Sequence, residues 1–355
     1  MREWTVGSAE KDQRLSRYLQ RKLPGAPSSF LYKMLRKKNI KLNGKKASGS
    51  ELLHGGDLVT FFLSDETIRG FGGILPGEIA DKEEQKEALL EYERAYRQFR
   101  SRVGSDGILY EDADLLAVKK PVGVLSQKAS DTDRSMNEWF VGYLLEKGEI
   151  SAEQLREFRP SICNRLDRNT GGILLCAKTL SGARETGKLL RDRSLRKFYQ
   201  AAVLGTVKEG GSIEGYLQKD GVTNLVNFQR TVDTGGNEGG VLPDGLPGVS
   251  NWTSTTYRPL ITGKKYSLLE LELITGKTHQ IRSHLASAGH PILGDPKYGD
   301  LAINEKIRRE YGLRGQMLWC CRIEFPEMTG SFERLSHRVI VCDPPALYRE
   351  ITGKK

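Results

Sequence analysis

The run YSLLELELITG, Tyr266 to Gly276, alternates Leu269, Leu271 and Leu273 with Glu270 and Glu272. A period of two puts the leucines on one face and the carboxylates on the other, the pattern of a half-buried strand. A helix would mix the two sets, so the chain must build a sheet. ILYEDADLLAVKKP, from Ile108, adds two apolar runs around a polar Glu-Asp-Ala-Asp turn, a hairpin signal. KFYQAAVLG reads as a further strand, with Tyr199, Ala201 and Val203 on one face. Helical stretches such as SGARETGKLLRDRS lie between them, so the region is α+β. The segment from Asp233 to Asn251 is too rich in Gly and Pro for an element and is expected to be a surface loop. No tandem repeat of solenoid or propeller period is present.

The segment before Ile108 is of another kind. RLSRYLQRKL spaces Leu15, Tyr18, Leu19 and Leu23 helically. PSSFLYKMLRKKN follows, with Ser28 or Ser29 as the expected cap and Phe30, Leu31, Met34 and Leu35 as an apolar stripe. Lys33, Arg36 and Lys37 fall largely outside that stripe. Asn43-Gly44 signals a tight turn between strands, and GDLVTFFL closes the segment as a strand. Residues 11 to 63 carry a net +9 of the chain's +10. A concentrated positive field of this kind suits a phosphate backbone. Residues 65–106 read as a linker with one charged helix, marked by Leu89, Leu90, Tyr92 and Tyr96. That helix is either packed on the next domain or a free spacer.

Other function classes are poorly supported. No run approaches the roughly 18 apolar residues of a membrane span, and the first residues lack the apolar core of a signal peptide. A cytoplasmic location is expected. The five cysteines show no C-x-x-C pair, which argues against a zinc site and a disulfide framework. The two histidines in HQIRSH are five apart with no Glu between them, so the zinc-protease pair is missing. No metal and no cofactor is expected.

Four patches after Ile108 can carry chemistry. ICNRLDRNTGGILLC sets Asp167 between Arg165 and Arg168, where a carboxylate should stay ionised and serve as nucleophile or base. Taken alone, such a cluster is more often structural. RSLRKFYQAAV leads Arg193, Arg196 and Lys197 into Tyr199, which can stack on a base while the cations hold phosphates, or simply fill the core. LITGKTHQIRSHLASAGHPILGDPKYGD brings Lys277, His279, Gln280, Arg282 and His284 to a helix that should start near Thr278. His279 and Arg282, three apart, share a face. LAVKKPVGVL ends a strand in Lys119-Lys120-Pro121, where a plain hairpin end is the simpler reading.

The order and spacing of NRLDRNTGGILLCAKT, KFYQAAVLG, ELITGKTHQIRSHLASAGHPILGDPKYG and LAVKKPVGVL resemble the RluA family of pseudouridine synthases, most closely its RluC-like branch. Residues 1–64 resemble the small RNA-binding module named after ribosomal protein S-four. The resemblance covers about 300 residues. It implies a catalytic domain over 107–350, built on a mixed, mainly antiparallel β-sheet with a central RNA cleft. It implies isomerisation of uridine in structured RNA, with large-subunit ribosomal RNA the expected partner and a monomer the expected form. Asp167 matches the family's catalytic aspartate, Tyr199 the tyrosine that stacks on the uracil, and Arg282 the arginine that pairs with the aspartate. Arg165 matches an arginine taken to hold displaced nucleotides. Arg168, Lys277, His279 and Gln280 are the further substrate contacts expected, with Lys33, Arg36 and Lys37 on the basic module. The chain departs from the family pattern at Asn164 (usually His), Asn169 (usually Asp), Gly172 (usually Ser) and Lys277 (often Arg). A non-catalytic RNA-binding factor and an N-glycosidase are the competing readings. Asp167, Tyr199 and Arg282 together argue against the first. The second usually shows two working carboxylates, where only one stands out here.

Overall fold

In the computed structural model, residues 1–7, 10–73, 75, 82–219, 226–230 and 252–353 are described. The loop expected over 233–251 lies outside them.

The N-terminal lobe holds β1 (Arg2–Thr5), α1 (Leu15–Lys22), α2 (Ser28–Arg36), β2 (Ile40–Leu42), β3 (Lys45–Lys46), β4 (Leu58–Phe61) and α3 (Asp65–Gly70). Its four strands pair antiparallel in the order β1-β4-β2-β3. Asn43 and Gly44 both take positive φ, as the two-residue hairpin turn requires. α2 starts differently from expectation. Pro27 is the N-cap residue and no side chain caps the helix, so Ser28 and Ser29 are not its caps. Leu31, Met34 and Leu35 are buried, and Lys33, Arg36 and Lys37 are exposed. The lobe's apolar core runs past residue 64 to Ile68 and Leu75. Ser64 caps α3, and Arg2 pairs with Asp65 at 2.6 Å, which ties that helix to the lobe.

α4 (Lys82–Val103) is no free spacer. It buries Tyr92, Ala95, Phe99 and Val103 against α5 (Met136–Glu146), while Leu90 is exposed. Gly142 permits that approach, since a Cβ there would lie 2.3 Å from the Tyr92 carbonyl oxygen. The larger core therefore begins within α4, ahead of residue 107.

That core continues through β5 (Ile108–Glu111), β6 (Leu115–Lys120), α6 (Gln154–Glu157), β7 (Ser161–Ile162), β8 (Gly171–Ala177), α7 (Leu180–Arg191) and β9 (Arg196–Leu204). β10 (Gly211–Lys219), β11 (Val226–Arg230), β12 (Trp252–Thr262), β13 (Tyr266–Leu273) and α8 (Gln280–Ser287) follow. α9 (Leu301–Tyr311), β14 (Leu318–Glu324), β15 (Val339–Val341) and α10 (Leu347–Thr352) complete it. The described strands form an eleven-stranded sheet in the order β11-β10-β12-β13-β9-β14-β8-β6-β5, with β15 on β14 and β7 on β8. Every pairing among these strands is antiparallel except β14 with β8.

That one parallel junction positions the site. It aligns Trp319 with Gly171 and Cys320 with Gly172. Gly172 has φ +107°, and a Cβ on it would fall 2.1 Å from the Cys320 carbonyl oxygen. The position is therefore closed to any side chain here. Tyr199, on β9, pairs with Cys320 on one side and Leu271 on the other. The Asp167 turn, which feeds β8, and Tyr199 thus meet at the middle of the sheet.

β13 follows its alternation, but the carboxylate face is not open to water. Glu270 is buried, bonded to Arg258 at 2.8 Å and Arg322 at 3.0 Å. Glu272 pairs with Arg196 at 2.7 Å, and Arg322 lies over Phe198 at 3.9 Å. Arginine stems and an aromatic ring roof this face.

Candidate active-site cleft

A cleft of about 980 Å³ opens at the sheet centre, lined among others by Arg165, Asp167, Arg168, Tyr199, Lys277 and His279. A smaller recess of about 60 Å³ is walled by Asp167, Tyr199, Leu273 and Arg282.

Asp167 sits on the turn before β8, where the Thr170 amide donates to its carbonyl at 3.0 Å. The guanidinium that reaches its carboxylate belongs to Arg282, at 2.8 Å from Oδ2. Its sequence neighbours Arg165 and Arg168 are exposed to the cleft and make no ion pair with it among the described contacts. The expectation that these two hold the carboxylate is corrected. The spacing of Arg-Leu-Asp-Arg points the neighbours away, and the partner comes from 115 residues further on.

Arg282 is itself fixed. Asp295, fully buried, takes Arg282 Nε and Nη2 side-on, both at 2.7 Å. Backbone amides of Lys297 and Tyr298 donate to the same carboxylate oxygen at 2.9 and 3.1 Å. Burial works to raise the Asp295 pKa, but the guanidinium and the two amides outweigh it and hold the carboxyl below its ordinary range. Arg282 thus bridges two carboxylates, one locked inside and one facing the cleft.

His279 is the N-cap of α8, in left-handed conformation with φ +54°. Its Nδ1 lies 3.1 Å from the Tyr298 hydroxyl and its Nε2 3.9 Å from Asp167 Oδ2. Burial pulls its pKa below the usual histidine value, ahead of the opposing pull of Asp167. Tyr199 is buried and flanks the recess. Burial, helped by the neighbouring Cys320, pushes its hydroxyl well above the ordinary tyrosine pKa, so it is a neutral phenol.

Gln280, an expected contact, borders the recess but is turned inward. Gln280 uses every polar atom inside the protein. Its Nε2 donates to the Ser254 carbonyl and Thr255 Oγ1, both at 3.0 Å. Its Oε1 accepts from Thr275 Oγ1 at 2.8 Å and the Lys277 amide at 3.1 Å. It braces the Thr275–Lys277 turn from the edge of the recess, its side-chain oxygen and amide both engaged within the protein. His284 is fully buried, 2.9 Å from Thr253 Oγ1, with burial lowering its pKa to about 4. Lys33, Arg36 and Lys37 line no part of the cleft.

The sequence reading missed Asp295, Tyr298 and Lys120. Lys120, which ends β6, has no exposure at all. Its ammonium donates to the carbonyls of Val124 at 2.5 Å, Pro121 at 3.0 Å and Arg168 at 3.1 Å, pinning the turn that presents Asp167. Burial pulls its pKa to about 7, against the charge of Asp167. The Asn164 side chain accepts from the Leu175 amide at 2.7 Å and ties the same loop to β8. The signal for Asp295 was available: GDPKYG follows the Arg282 helix, and a buried guanidinium needs a carboxylate. Among the described residues no three His, Cys, Asp or Glu side chains converge as a metal-binding group, and no helix is long and apolar enough to cross a membrane.

Comparison with known proteins agrees with this architecture. A family model described as RNA pseudouridylate synthase matches residues 114–287. Over 319 residues the chain is 29% identical to ribosomal large subunit pseudouridine synthase C of Vibrio parahaemolyticus, covering 88% of this chain and 84% of that one. It is 34% identical over 195 residues to ribosomal large subunit pseudouridine synthase D of Borreliella burgdorferi, about half of each chain. The structure of human RNA pseudouridylate synthase domain containing 4 superposes with a TM-score of 0.51 at 21% identity, over 74% of this chain and 94% of that one, and so shares the fold. Asp167 and Arg282, the cleft carboxylate and its arginine, both lie within the segment that is similar to the RNA pseudouridylate synthase family.

Proposed function

We propose that this chain isomerises uridine to pseudouridine in structured RNA, with large-subunit ribosomal RNA as the substrate. The observation that carries the reading is Asp167, held by Arg282 at 2.8 Å over a recess that Tyr199 walls. The names of the two bacterial relatives support the choice of RNA. Five free thiols, four of them buried, suit action in a reducing cytoplasm, and the enzyme acts as a monomer.

The residues divide the reaction as follows. The target uridine leaves its stack, at a cost of a few kcal/mol that phosphate contacts offset. Arg165, Arg168 and Lys277, exposed along the cleft, supply those contacts. The uracil enters the recess and stacks on Tyr199. Asp167 acts on the sugar or base as the bond from nitrogen 1 to the ribose breaks. Arg282 orients it, and Asp295 keeps that arginine from following the carboxylate. The recess retains the detached uracil while it turns and rejoins through carbon 5. Tyr199, a neutral phenol, positions the ring or a water, and the proton lost from carbon 5 passes to Asp167 or to that water. The N-terminal lobe anchors the RNA as an S-four-type module through Lys33, Arg36 and Lys37, exposed on α2 and the residue that ends it.

Release of tritium from RNA labelled at carbon 5 of uridine tests the reading. Wild-type protein releases label. Asp167→Asn binds the same RNA and releases none. An Asp167→Asn protein with wild-type turnover removes Asp167 from the chemistry.

A further inference from the structure

Lys197 lies on β9, two residues before Tyr199 and so on the same face of the strand. It is 9% exposed and lines the large cleft. Its Nζ sits 3.7 Å from where a Cβ on Gly276 would be, against the turn that Gln280 braces. Yet its ammonium makes no ion pair or hydrogen bond with any described residue, while its backbone pairs with Ile323 in the sheet. Lys120 is the contrast: buried as well, it spends its three N–H groups on three carbonyls. The Lys197 stem is buried while its ammonium opens on the cleft, and burial of the side chain lowers its pKa. With no acceptor among the described residues, that ammonium is available to a ligand in the cleft.

The position selects the partner. Lys197 shares the wide cleft with Arg193, Trp252 and Lys277 but takes no part in lining the recess of Asp167 and Tyr199. Arg193 lies over the Trp252 ring at 5.9 Å, so the cleft wall beside Lys197 offers a cation on an aromatic, a surface that accepts stacked nucleotides and their phosphates. The group that meets Lys197 is therefore not the reacting uracil but the backbone that follows it in. We propose that Lys197 binds a non-bridging oxygen of a phosphate adjoining the target uridine, the RNA providing an acceptor that no described residue supplies. The inference rests on the reading of the chain as an RNA-modifying enzyme and names a residue that grips its substrate.

The test uses the full chain and a stem-loop carrying the target uridine, with each flanking phosphate replaced in turn by an uncharged methylphosphonate. Lys197→Met should raise KM about tenfold, as losing a charged hydrogen bond does, with kcat within about twofold. At one phosphate, methylphosphonate should cost wild type about the same factor and cost Lys197→Met nothing more. The free Lys197→Met protein should melt no lower than wild type, because its apolar chain keeps the packing of the buried lysine stem and the ammonium lost had no acceptor among the described residues. Lys197→Met with wild-type KM overturns the proposal. So does a variant that melts lower and whose loss adds to every methylphosphonate, since that describes a structural lysine. Unmodified RNA left unconverted by wild type would instead refute the function on which the proposal rests.

Discussion

Replacing Asp295 by Asn changes one oxygen to an amide and should disable the site from behind. The carboxylate is fully buried and accepts four hydrogen bonds, two from Arg282 at 2.7 Å and two from the backbone amides of Lys297 and Tyr298. An Asn amide offers one acceptor oxygen and an NH₂ that meets the guanidinium either way, at Nε in place of Oδ2 or at Nη2 and both amides in place of Oδ1, donor against donor. Arg282 is then a buried cation whose remaining anion is Asp167, itself facing the cleft. Removing one partner of a buried pair costs about 3–5 kcal/mol. For a domain of this size each kcal/mol lowers Tm by about 2–4 °C, so Tm should fall by about 10 °C. Turnover should fall further than stability explains, because Arg282 can swing toward Asp167. A misplacement of about 1 Å is worth about 100-fold. Differential scanning calorimetry reads the first effect, and single-turnover pseudouridine formation well below the variant's Tm reads the second. An Asp295→Asn protein that melts within about 2 °C of wild type and turns over at its rate refutes the brace.

Two further outcomes follow from the same geometry. Changing Lys33, Arg36 and Lys37 together to Gln should flatten the dependence of RNA affinity on salt by about two in log–log slope, at about 0.7–0.9 for each phosphate no longer neutralised; an unchanged slope in filter binding over a KCl series means these cations touch no RNA. His284 ionises at about 4 when folded against 6.5 unfolded. The unfolded chain therefore takes up the proton first, and the stabilisation present above pH 6.5 is lost as pH falls toward 4. That amounts to about 3 kcal/mol. His284→Gln should show correspondingly less loss in urea titrations between about pH 7 and pH 4.5, and equal losses would mean His284 carries no such linkage.

What the sequence made legible were the periodic elements. Leu15, Tyr18 and Leu19 mark α1, Asn43-Gly44 marks its hairpin, and the alternation over Leu269–Leu273 marks β13, because each pattern is set by local geometry. Asp167, Tyr199 and Arg282 were legible as a set through the resemblance to the RluA family, and the fold brings them to one recess. Long-range pairing was legible only through the resemblance, which implies that Arg282 pairs with Asp167 where the local sequence offers Arg165 and Arg168; Asp295 on Arg282 went unread although GDPKYG carried a signal for it. Gln280 looks like a site residue in HQIR because a dense polar helix start serves equally to bind substrate and to satisfy a buried turn. Lys120 looks like a hairpin end, since only the tertiary fold brings the Arg168 carbonyl to its ammonium. Gly172 differs from the pattern that the resemblance implies for a reason visible only in three dimensions, where β14 leaves no room for a Cβ.

The measurement that bears most directly on the account is pseudouridine mapping of total RNA from cells with the protein, cells without it, and cells carrying Asp167→Asn at the same level. The account predicts one or more uridines in large-subunit ribosomal RNA that are converted with the wild-type protein and unconverted in the other two. Identical maps in all three would contradict it, and conversion sustained by Asp167→Asn would contradict the role given to the carboxylate that Arg282 holds.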